Sequence, residues 1–203
     1  METIIDTFNT GDIILFSNNY SLWNITTWPS FLVEYFSNSK YSHIGMILKK
    51  PIWLNKKLTG IYLWESVPDN TIDPQDNKKK IGVKLTPIEE IFKNTTEKLF
   101  LRRLINAKDK LNSKVLTNIH NAVYDKPYDL NIIDWIDVYY KIQLNKPTID
   151  RFFCSAFIGF IYTQCNIINK NINWDLLKPS DFSPEGKNII WDDTYLGELI
   201  PLN

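Results

Sequence analysis

The sequence predicts an α+β fold in a single domain spanning residues 1–203. Two strand-length apolar runs, 42–48 and 61–67, are close enough in the chain to form an antiparallel hairpin. Residues 153–165 make the most apolar helical segment. No internal repeat, low-complexity linker or composition break divides the 203 residues, too few for two comfortable cores.

Gly11-Asp12 reads as a turn into a short buried strand through Phe16. Residues 17–40 form an aromatic-rich insertion in which Trp28, Leu32, Tyr35 and Phe36 recur at helical spacing behind Pro29. A polar turn with Asn55, Lys56, Lys57 and Gly60 joins the hairpin strands, and residues 68–80 read as a loop. A strand follows at 81–85. Thr86-Pro87-Ile88-Glu89 predicts a helix start, with Thr86 as N-cap and Pro87 at the first position, ending near Lys93. Residues 98–104 form a strand. Leu111, Val115, Ile119 and Val123 mark a helix over 111–124, and Asp129 or Asn131 can cap another through Asp134, Ile136 and Tyr140. The tail holds a turn at Lys178-Pro179-Ser180-Asp181 and strands at 189–191 and 196–199.

Composition narrows the function classes. Hydrophobic residues are 44% and aromatic residues 14%, so burial can offset chain entropy. Lys+Arg and Asp+Glu are 23 each, without the basic excess of a nucleic-acid binder. Lys78-Lys79-Lys80, beside Asp73, Asp76 and Asn77, reads as a solvated loop. Cys154 and Cys165 share one predicted helix, roughly 16 Å apart along its axis, whereas a disulfide needs Cα atoms within about 7 Å. A reducing compartment, the cytoplasm, is therefore expected. The first residues lack the basic and apolar regions of a signal peptide, and no stretch reaches the ~20 apolar residues of a membrane span. Two cysteines and two histidines lack zinc-site spacing, so no metal or cofactor is expected. The sequons at Asn24 and Asn94 and the wealth of Asn, Ile and Lys fit an AT-rich genome, such as some large DNA viruses have.

Cys154 carries the chemical expectation. A thiol at a helix N-terminus meets the positive end of the peptide dipoles, which favours the nucleophilic thiolate. If Ile47 opposes Ile61 in the hairpin, His43 opposes Glu65, and alternation puts His43, Gly45 and Ile47 on the face shared by Ile61, Leu63 and Glu65. Opposed Cβ atoms lie ~5 Å apart. A slip of two residues leaves that face unchanged. Glu65 can then accept from one imidazole nitrogen, fix the tautomer and leave the other nitrogen for sulfur. The set reads as nucleophile (Cys154), base and acid (His43) and orienter (Glu65), with the Cys154 backbone N–H as an oxyanion donor.

Gly11-Asp12-Ile13-Ile14-Leu15, Tyr41-Ser42-His43-Ile44-Gly45-Met46, Trp64-Glu65-Ser66, Pro127-Tyr128-Asp129, Phe153-Cys154-Ser155 and Lys178-Pro179-Ser180-Asp181 occur in that order. The set resembles the circularly permuted papain-like hydrolases of the NlpC superfamily. That group includes bacterial YiiX-like proteins and poxvirus relatives and is akin to the lecithin:retinol acyltransferase family. The resemblance covers residues 10–185. It implies a small antiparallel barrel-like sheet packed against the cysteine helix, a Cys154–His43–Glu65 triad, and cleavage of an amide or ester bond in a peptide, lipid-linked amide or fatty acyl substrate. Asp12, Tyr41, Tyr128 and Ser155, within those motifs, are the candidate substrate contacts. Members often carry an acidic residue after the Cys-Ser pair, where this chain has Ala156.

Other readings stay open. Acyl transfer uses the same mechanism with an alcohol or amine in place of water. A papain-like scaffold that binds a lipid or protein without catalysis, or a virion component, is the non-enzymatic alternative. His120 is a structural histidine or a rival base, and Cys165 faces the core. Asp12 can simply fix a turn, and Asp134 and Asp137 belong to a solvated face. Trp23, Trp28, Phe31, Tyr35 and Phe36 form core or cleft wall, or a lid or peripheral membrane contact.

Overall fold

A computed structural model describes residues 2–17, 40–54, 56–129 and 149–203. The aromatic group at 23–36, the helix expected through Tyr140, and Asp134 and Asp137 lie outside the described residues.

The described chain is mixed α+β. Its strands are β1 (Ile13–Ser17), β2 (His43–Lys49), β3 (Ile61–Asp73), β4 (Lys78–Pro87), β5 (Lys98–Ile105) and β6 (Tyr195–Pro201). They form one open six-stranded sheet in the order β4-β3-β2-β1-β5-β6, with every pairing antiparallel. The described helices are α1 (Glu2–Ile5), α2 (Ile88–Asn94), α3 (Ser113–Val123) and α4 (Cys154–Gln164), joined by 3-10 turns at Trp174–Leu176 and Pro179–Phe182.

The central strands are apolar on both sides because both faces of the sheet are covered. Alternation divides their side chains between two cores. Ile13, Leu15, Ile44, Met46, Leu48, Trp64 and Leu85 belong to the larger, which takes in residues of α3 and α4. Ile14, Phe16, Ile47, Leu63, Leu99 and Leu101 belong to the smaller, with Phe8 and Ile88 and partly buried residues of α1 and α2. Gly45 permits a close approach between strands: a Cβ there would lie 2.5 Å from Leu63 Cγ.

Several expectations change. Residues 68–80 are not a loop: β3 runs to Asp73 and β4 starts at Lys78. Pro68 cannot donate to a ladder, and the pairing accommodates it with an irregularity between Val67 and Thr71. Lys80 is therefore no solvated loop residue. It is 6% exposed, with its Nζ 3.1 Å from both Asp73 Oδ2 and Asp76 Oδ2 and lying over the Tyr124 ring. The helix near residue 88 begins one residue late, with Pro87 as N-cap and Thr86 still in β4. The strand expected at 189–191 is only an isolated bridge between Ile168 and Trp191. Gly82, at φ +131°, lets β4 bend against the chain near Pro127; a Cβ there would sit 2.2 Å from the Lys126 carbonyl oxygen.

Candidate active site

Helix α4 is apolar on all sides, with all residues from Cys154 to Thr163 buried, as befits a helix inside the core. Cys154 is its first residue. Phe153, extended at the N-cap, supplies no side-chain acceptor to the first-turn N–H groups. Three contacts fix this helix start. Ser66 Oγ donates to the Phe152 carbonyl oxygen at 2.7 Å, Ser155 Oγ donates to the Leu177 carbonyl oxygen at 2.6 Å, and Trp64 meets Phe157 edge-on at 5.4 Å between centroids.

The β2–β3 ladder pairs Met46 with Trp64 and Ile47 with Leu63. The expected pairing of Ile47 with Ile61 is thus displaced by two residues, so His43 does not stand directly opposite Glu65. The face is unchanged, and the side chains meet along the diagonal: His43 Nε2 lies 2.7 Å from Glu65 Oε2. Glu65 Oε1 accepts from Thr86 Oγ1 at 2.5 Å, so both carboxylate oxygens are engaged. Phe16, the partner of His43 across β1–β2, lies edge-on to the imidazole at 4.9 Å.

His43 is the first residue of β2, at the end of the strand, and there the cysteine and histidine meet. The Cys154 side chain is close enough to the His43 ring to act on its charge. Burial alone would lower the histidine's pKa. The interactions with Cys154 and Glu65 outweigh it and hold the imidazole at about 10. The fold thus brings Cys154, His43 and Glu65, far apart along the chain, to one place. His43 and Glu65 border a cleft of about 290 Å³. Cys154 is 2% exposed.

The remaining sequence candidates are placed differently. Asp12 sits at the opposite end of β1, 1% exposed, accepting from Asn9 N, Arg103 Nη1 and Leu104 N. Its valences fasten β1 to β5, which corrects its assignment to substrate. Ser155 is fully buried and committed to Leu177, so it is no substrate contact either. Tyr41 is 1% exposed, edge-on to Phe100, and burial raises its hydroxyl pKa. Tyr128 is 6% exposed in a bridge with Phe152. Both are wall residues of the fold. His120 hydrogen-bonds Gln75 Oε1 at 2.6 Å and packs against Trp53, Trp64 and Tyr124. Burial lowers its pKa. Both cysteines are free, and burial pushes the Cys165 thiol up to about 12. Among the described residues no group of three or more His, Cys, Asp or Glu can hold a metal. No described helix is long and apolar enough to cross a membrane.

Two positioning residues escaped sequence reasoning. Thr86 was assigned to a helix cap, yet its hydroxyl serves Glu65. Ser66 was part of a motif without a role, yet it holds the loop that delivers Cys154. Alternation was the available signal, since Thr86 opposes Leu63 and shares the face of Glu65.

No family model matches the chain, and no curated protein matches it.

Proposed function

We propose that the chain is a cysteine hydrolase of amide or ester bonds in a peptide, lipid-linked amide or fatty acyl substrate, built as a permuted papain-like fold. The observation that carries the reading is the bonded His43–Glu65 pair with Cys154, at a helix start, beside the imidazole. The order histidine, acid, cysteine along an antiparallel sheet, with the cysteine helix against it, supports the permuted arrangement.

In this mechanism Nε2–H of His43 is held by Glu65, which leaves Nδ1 for sulfur. His43 is the acceptor of the thiol proton as sulfur attacks. Sulfur attacks the carbonyl carbon, and the carbonyl π pair moves to oxygen, facing the uncapped N–H groups of the α4 first turn. Collapse expels the amine or alcohol, which takes the proton from His43 and leaves an acyl-enzyme. Water, deprotonated by His43, attacks the thioester and returns Cys154. An alcohol or amine in place of water makes the same intermediate an acyl donor, and product analysis with added acceptors separates the two outcomes.

Cys154→Ala is expected to abolish turnover of a panel of fluorogenic amides and esters, and labelling by a thiol-directed acyl probe, while circular dichroism stays unchanged. Retained turnover sinks the reading. The 2% exposure of Cys154 favours the non-catalytic scaffold as second reading. It predicts no Cys154 alkylation at neutral pH.

A further inference from the structure

The cleft bordered by His43 and Glu65 has a divided lining. Phe16, Val67 and Ile91 supply apolar surface, whereas Asp69, Glu90 and Glu97 supply carboxylates. Among the described residues lining it there is no lysine or arginine. Lys84, buried beneath, pairs with Asp69 and takes up that charge. Glu97 stands beside the catalytic base: its Oε2 accepts from Ser42 Oγ at 3.2 Å, and Ser42 precedes His43. Glu90 lies in the first turn of α2, on an exposed rim.

We infer that this cleft receives an aliphatic cation of the substrate, the side chain of a lysine or arginine residue, with Glu90 and Glu97 as the specificity-determining carboxylates. The inference rests on the thiol-hydrolase reading and narrows its substrate class to cationic peptides. A long basic side chain has the required two-part character, an apolar stem and a charged head. Its stem lies on Phe16, Val67 and Ile91, and its head meets the carboxylates. An anionic group would be repelled by the same rim. At about 290 Å³ the cleft is at the lower bound of ligand pockets, roughly 300–1,000 Å³, and holds one side chain.

The test compares two chloroacetamides, one of agmatine with a guanidinium tail and one of hexylamine with a neutral tail. With either, the Cys154 sulfur forms an S–C bond and chloride leaves with the C–Cl pair. Rates of Cys154 modification are followed by mass spectrometry at neutral pH. The guanidinium probe is expected to react about tenfold faster at low ionic strength. Added salt, and the double variant Glu90→Gln/Glu97→Gln, should each bring the two probes within about twofold. An unchanged circular-dichroism spectrum, with Cys154 still modified by the neutral probe, shows that the variant is folded and reactive. Equal rates for the two probes in the parent, or an advantage that survives in the variant, overturns the inference, while labelling of Cys154 by both leaves the hydrolase reading in place. Failure of both probes to label Cys154 overturns the two together.

Discussion

Cys154 and Cys165 open and close the same helix and are equally buried, at 2% exposure each. What separates them is their neighbours. Cys154 has an imidazole and uncapped N–H groups; Cys165 has hydrocarbon, which pushes its thiol up to about 12. Iodoacetamide at neutral pH is therefore expected to modify Cys154 alone in the folded chain and both cysteines in denaturant, as read by peptide mapping. His43 supplies a second check. Its pKa, raised to about 10, means that the charged imidazole persists until pH climbs through that value, so turnover should fall on the alkaline side near 10. Glu65→Gln removes an anion next to the imidazolium and favours the neutral ring. The alkaline limb of the pH–rate profile should then move down by about one unit or more. An unmoved limb would show that Glu65 does not govern the histidine.

At the scale of elements, β3 organises the site through three successive residues. Trp64 packs on α4, Glu65 holds His43, and Ser66 holds the Phe152 carbonyl. Ser66→Ala deletes one of the two donors to that oxygen, the other being Asp129 N at 3.0 Å. A loss of about 1 kcal/mol in urea unfolding is expected, with a fall in turnover as the cysteine loop loosens. The far end of the β3–β4 hairpin carries its own ionic cluster. Burial would raise the Asp76 pKa, but the hydrogen bonds from Tyr124, the Lys78 backbone and Lys80 outweigh it and hold the carboxyl at about 2. A depressed carboxyl stabilises the fold above its ordinary value of 3.8 and loses that contribution as pH falls through 2. Asp76→Asn should flatten this part of the acid-unfolding curve. The cluster was hidden in the sequence because Pro68, Asp69 and Asn70 suppress a strand reading, and the fold overrides them by local irregularity and by pairing Lys80 with carboxylates.

Across the whole molecule, one side chain ties three carbonyl groups of the last third of the chain to the sheet. Arg102, 8% exposed on β5, donates to the carbonyl oxygens of Gly197, Phe182 and Leu196 at 2.7–2.8 Å. Lysine has one donor centre and cannot span three acceptors, so Arg102→Lys should cost about 2 kcal/mol in urea unfolding. Strands β1, β2 and β5 and helices α3 and α4 were legible because burial on both sides, or a helical stripe, writes itself into apolar spacing. The face shared by His43 and Glu65 was legible for the same reason. Their register was not, since alternation repeats every two residues and does not distinguish neighbouring pairings. The motif residues Asp12 and Ser155 misled because proximity to a site in sequence says nothing of which hydrogen bonds consume a side chain. Ser66 and Thr86 were missed because their value lies wholly in partners brought from elsewhere.

Consecutive side chains of β3 serve opposite sides of one sheet, and this makes the strand a device sensitive to odd and even. Deleting a single residue ahead of Trp64 would turn the carboxylate into hydrocarbon and aim the serine hydroxyl at the imidazole; removing two would return the carboxylate to its own face, about 7 Å further along the strand. Natural or engineered length changes in this strand should therefore keep each side chain on its own face in pairs and exchange the faces singly.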